Sequence, residues 1–84
     1  NLEKFFQRNG TILAVSKNAK DYLPGDIVTW RLPNNLPHIG IVSDSPSSSD
    51  SNRYKIIHNI GMGPKLDDML FDYKIVGHYK YKAN

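Results

Sequence analysis

"LPHIGIVSDSPSSSDSNRYKIIHNI", residues 36–60, sets the architecture of the whole chain. "HIGIVSD" (38–44) and "RYKIIHNI" (53–60) are short runs rich in β-branched residues, and the Ser-rich "SPSSSDSN" (45–52) lies between them. Two such runs joined by a hairpin-length loop pair as antiparallel strands. Closing the turn near Asp44 and Asn52 sets His38 directly opposite His58, on one face, with Cβ atoms about 4.5–5.5 Å apart. A slip of one residue would bring His38 opposite Asn59 instead. In either register His38 acquires a polar partner on the next strand.

That partner gives His38 its interest. An imidazole whose second nitrogen is held by a neighbour has a fixed tautomer and ring orientation, which a general base requires. His38 is therefore the candidate catalytic base and His58 its orienting partner, with Asn59 as the alternative orienting residue. Gly40 falls on the same face two positions on, where it leaves open space beside the ring; a β-bulge is the plain alternative. Trp30 ends the preceding apolar run and is placed to wall a substrate groove. Two histidines without a third ligand at suitable spacing do not make a metal site, and no cofactor is indicated. His78 shares its alternation with Lys74 and Lys80 and is expected at solvent.

Outward from the hairpin, "NLEKFFQRNG" sets Leu2, Phe5 and Phe6 on one helical face and ends at Gly10. "TILAV" (11–15) and "DIVTW" (26–30) read as strands, separated by a turn at Pro24-Gly25. "KLDDMLFDY" carries Leu66, Met69 and Leu70 at helical spacing and predicts a turn or two of helix. "YKIVGHYKY" (73–81) alternates as a last strand, with Tyr73, Ile75, Tyr79 and Tyr81 on one side. The expected fold is α+β: a small antiparallel curled sheet or half-barrel of about five strands with an N-terminal helix, in a single domain over residues 1–84.

Composition narrows the chemistry. The 84 residues contain no cysteine, which excludes thiolate zinc sites, disulfides and any thiol nucleophile within the chain. The net charge of +3 comes from basic residues scattered along the sequence, whereas a nucleic-acid footprint would concentrate them on one face. No apolar run approaches the roughly 20 residues that cross a bilayer. The abrupt opening on a helix suggests that sequence precedes Asn1.

The order "PGDIVTW", "HIGIVSD", "IIHNIG" resembles the signature of the NlpC-type papain-like cysteine peptidases. The closing "GMGP…LFDYKIVGHYKY" is similar to an uncharacterised bacterial envelope family of that superfamily. The resemblance covers nearly the whole chain. It implies a cysteine at the start of an upstream helix that attacks an amide carbonyl, a strand histidine that activates it and a third polar residue that orients the histidine. His38 then matches the base and His58 the orienter, while the cysteine has no counterpart. The chain is thus expected to be the C-terminal part of a larger catalytic domain and inactive alone. Its expected partners are a nucleophile-bearing N-terminal half and a peptidoglycan-like peptide substrate, in the bacterial periplasm or cell envelope. The competing expectation is a non-catalytic SH3-like β-barrel that binds peptide, glycan or nucleic acid through Trp30 and the tyrosines.

Overall fold

Six antiparallel strands form one curled sheet in the computed structural model, which describes residues 1–59 and 61–81. Ile60, included in the expected fourth strand, and Lys82, counted among the basic residues, lie outside the described residues. The elements in chain order are α1 (Leu2–Asn9), β1 (Gly10–Ile12), β2 (Ile27–Arg31), β3 (Pro37–Pro46), β4 (Tyr54–Asn59), β5 (Pro64–Asp67) and β6 (Lys74–Tyr81). Across the sheet the order is β1-β6-β2-β3-β4-β5, so β1 and β5 are open edges and the sheet does not close into a barrel. Among the described residues no helix is long and apolar enough to cross a membrane.

Asn1 starts α1 by accepting the Lys4 backbone N–H on its side chain at 3.2 Å, which satisfies one of the helix's free donors. The helix then lies on β6, where Phe6 stacks on Tyr79 and Phe5 on Tyr81. On the opposite face of the sheet sits the core. Val28 and Trp30 of β2, Val42 of β3 and Ile56 of β4 pack there against Tyr22, Met69 and Leu70 from the connections. Burying each large apolar side chain contributes about 1.5–3 kcal/mol, so these few residues carry most of the stability of so short a chain. Outside the core, Ile41, Ile57 and Leu66 are paired in register across β3, β4 and β5 and remain about half exposed.

Three details differ from the sequence reading, each for a local reason. The segment after Pro64 begins with β5 paired to β4, and the apolar Met69 and Leu70 reach the core from the connection that follows, without an α-helix. "TILAV" contributes only its first residues to a strand, since the pairing of β1 with β6 ends at Ile12↔Tyr79. In β6 the pairing with β2 shifts at Thr29/Trp30, so that Gly77 faces Thr29 but Ile75 faces Trp30. That bulge reverses the alternation. Ile75 joins the core, while Tyr79 stays under α1.

Candidate functional site

β3 and β4 carry His38 and His58 to the same face, but not directly opposite each other. Gly40 is the residue opposite His58, and His38 lies one diagonal step away. The register differs because the hairpin closes at Pro46↔Tyr54, beyond the expected Asp44 and Asn52, and the five β3 residues from Val42 to Pro46, set against only three of β4 from Ile56 to Tyr54, bring it part of the way back. The Ser43 hydroxyl fills this irregularity by donating to the Lys55 carbonyl at 2.7 Å. The shift of two keeps the face, and the rings still meet: His38 Nε2 is 2.8 Å from His58 Nδ1, with the planes nearly perpendicular.

β5 completes a line of three polar side chains. Asp67 pairs with Ile56 in the ladder, one diagonal step from His58, and its Oδ2 lies 2.7 Å from His58 Nε2. The sequence reading missed Asp67 because it placed the residue in a helix. The available signal was the pair of glycines around Met62: Gly61 and Gly63 both adopt positive φ, the conformation of a tight turn between paired strands. His58 is buried, His38 is half-buried, and the Asp67 side chain is 48% exposed, so the line is covered at its centre and opens toward solvent at both ends. Burial, reinforced by the charge His58 carries when protonated, holds the pKa of His38 below the ordinary histidine value. His38 is thereby kept neutral to lower pH, as a proton acceptor must be. Among the described residues its Nδ1 makes no hydrogen bond.

The pair borders an open groove of about 430 Å³ whose lining includes Leu32, His38, His58, Asp67, Met69 and Tyr73. A second cavity, between the start of α1 and the other face of the sheet, is lined by Glu3, Thr29, Arg31 and Ile39 and shares only His38 with the groove.

The other expected site residues are elsewhere. Trp30 does not wall the groove: it is fully buried, and its indole Nε1 donates to the Leu70 carbonyl at 2.9 Å. Its ring lies behind His38, 5.9 Å between centroids, and supports the imidazole from the core side. Gly40 leaves no open patch either. A Cβ there would meet the Ile56 methyl at 2.6 Å and the Trp30 ring at 3.1 Å, so the missing side chain is what lets the core close behind the histidines. Asn59 points away, with its carboxamide oxygen accepting the Gly61 N–H, which removes it as the orienting residue.

His78 does not look at solvent. It is buried, with Nδ1 2.9 Å from the Ala14 carbonyl and Nε2 2.7 Å from Asp26 Oδ2. The β6 bulge turned it inward, against the ring of Tyr22. Lys80 completes that cluster by donating to the other oxygen of Asp26 at 3.1 Å. Both His78 nitrogens face oxygen acceptors, so this ring fastens the fold and has no nitrogen left for chemistry. Among the described residues no three His, Cys, Asp or Glu side chains are arranged to hold a metal ion.

A family described as "Domain of unknown function (DUF1287)" matches residues 1–81. The chain belongs to the DUF1287 family. It is similar to the protein named "Uncharacterized protein YijF" of Escherichia coli (strain K12), at 48% identity over 81 residues, covering 96% of this chain and 38% of that protein. The DUF1287 chain described here thus spans about two-fifths of the length of the curated relative it matches. No solved structure matches it.

Proposed function

We propose that this DUF1287 chain is the C-terminal portion of a cysteine-type amide hydrolase of the NlpC-like, papain-like kind. It supplies the general base to a nucleophile carried outside these 84 residues, which contain no cysteine. The observation that carries the reading is the 2.8 Å contact of His38 Nε2 with His58 Nδ1 beside an open groove. It leaves the other nitrogen of a neutral, oriented imidazole free to take a proton. The acceptor of that proton is His38. His58 orients it, and the thiolate so formed attacks a peptide amide; the same proton then goes to the leaving amine. The substrate class proposed is the stem or cross-bridge peptide of peptidoglycan, in the bacterial periplasm or cell envelope, a choice that rests on the resemblance of the three strand motifs.

The alternative of a non-catalytic binding barrel is less well supported. It relied on an exposed Trp30 and a closed sheet, whereas Trp30 is buried and both sheet edges are open.

The test is to incubate a longer DUF1287 protein with peptidoglycan peptides and follow new amino termini by mass spectrometry. Turnover that is abolished by His38→Ala, reduced by His58→Ala and absent from the 84-residue chain alone supports the proposal. Turnover that survives His38→Ala overturns it.

A further inference from the structure

We propose that Asp67, acting through His58, is a positioning residue that sets the tautomer of His38 and leaves Nδ1 as its proton-accepting nitrogen. The inference deepens the reading of His38 as a general base and rests on it for its catalytic consequence. Its structural content stands on the geometry alone.

An ionised carboxylate only accepts hydrogen bonds, so with Asp67 Oδ2 2.7 Å from His58 Nε2 the hydrogen of that contact belongs to His58. A neutral imidazole carries one N–H, so a His58 that donates from Nε2 presents a lone pair at Nδ1. Nδ1 lies 2.8 Å from His38 Nε2, and the hydrogen of this second contact must then come from His38. One carboxylate on the edge strand thereby decides, two rings away, which nitrogen of His38 is bare. His58 is the means of transmission because it is buried between strands on both sides and each of its nitrogens has a partner. Without Asp67 the pair would be degenerate. Either histidine could donate to the other, and the donation from His58 would place the His38 hydrogen on Nδ1, where it blocks proton uptake.

Asp67→Asn is the discriminating variant. A carboxamide can present its NH₂ to His58 Nε2, which reverses both hydrogen bonds; an orienting aspartate changed to asparagine in a serine protease acts through the wrong tautomer in this way. The side chain is half exposed, so the change leaves the core untouched.

The experiment is a long-range ¹H–¹⁵N correlation on the histidine-labelled chain, at a pH above the ordinary histidine value of about 6.5, which reads the tautomer of each ring. The expected result is Nε2–H on both His38 and His58, with Asp67→Asn shifting the His38 tautomer ratio at least about tenfold toward Nδ1–H, the change that roughly 1.4 kcal/mol produces. Nδ1–H on His38 in the unmodified chain overturns the proposal, as does an unchanged ratio in Asp67→Asn. In a longer family member that turns over peptide, the same substitution should lower kcat with little effect on KM. If no such protein shows turnover, the hydrolase reading fails, and the tautomer measurement still decides the role of Asp67.

Discussion

Gly40→Ala puts one methyl group at the place where the histidine pair meets the core, and its cost follows from the contacts. The new Cβ would sit 2.6 Å from Ile56 Cγ2, 3.1 Å from the Ile57 carbonyl and 3.1 Å from Trp30 Cζ3. The first contact must open to at least 3.4 Å to become an ordinary one. None of the three neighbours yields easily. Ile56 and Trp30 are fully buried, the indole is tied to Leu70, and the Ile57 carbonyl belongs to the strand backbone. Overpacking of this kind costs about 1–3 kcal/mol. The loss of backbone freedom in the unfolded chain offsets about 0.4–1 kcal/mol, since Gly40 does not need a positive φ. A net destabilisation of about 1–2 kcal/mol remains, a substantial part of the stability of a chain this size. Trp30 is the sole tryptophan, so its fluorescence reports urea unfolding directly. With a slope of about 1 kcal/mol per molar urea, the midpoint should fall by about 1–2 M. A midpoint that is unchanged or raised would refute the packing described around Gly40.

Three further outcomes follow from the charged groups. Because the folded pKa of His38 is lowered, the unfolded chain binds more protons between that value and about 6.5, so His38 favours folding above this window and the benefit declines as pH falls through it. The acid limb of kcat/KM in an active longer family member should accordingly have its midpoint below 6.5, and a midpoint above it would contradict the burial of the ring. Arg53 donates to both oxygens of Asp68 at 2.8 and 3.0 Å and, with the Ser47 hydroxyl, lowers that carboxyl to about 2. The stabilisation is complete above the ordinary aspartate value and lost as pH falls toward 2. Arg53→Ala should thus cost about 1–2 kcal/mol at neutral pH, discounted for partial exposure, and shrink the acid-dependent loss; identical pH–stability curves would count against it. His78→Ala should cost about 2–5 kcal/mol by leaving a cavity against Tyr22 and removing one partner of the buried Asp26, which keeps Lys80, whereas His38→Ala should cost less than about 1–2 kcal/mol, and equal tolerance in urea melts would show the roles misassigned.

The hairpin was legible in the sequence; its register was not. The period of two fixes which residues share a face within each strand, but His38 and His58 share one only if the turn closes with the right parity, and a slip of one residue would have set Asn59 beside His38 instead. Their exact offset depends on the irregular stretch from Val42 to Pro46, held by Ser43 side-chain bonds that no periodicity announces. The same limit explains His78. A single bulge opposite Thr29/Trp30 turned an outward position inward, and the buried partner that receives it, Asp26, is 52 residues away in sequence. Asp67 was hidden for a different reason: Leu66, Met69 and Leu70 satisfy helical spacing, while the strand pairing that captures Pro64–Asp67 comes from β4. The glycine at position 40 was legible as special, but its purpose is tertiary, to admit Trp30 and Ile56.

A scalar coupling between nitrogens across the single N–H···N hydrogen bond of His38 and His58 would report that bond without reference to any substrate. In the ¹⁵N-histidine-labelled chain, at neutral to mildly alkaline pH and low temperature, a resolved coupling is expected between His38 Nε2 and His58 Nδ1, lost in either single alanine variant. Sharp, assigned resonances for both nitrogens with no coupling between them would contradict it.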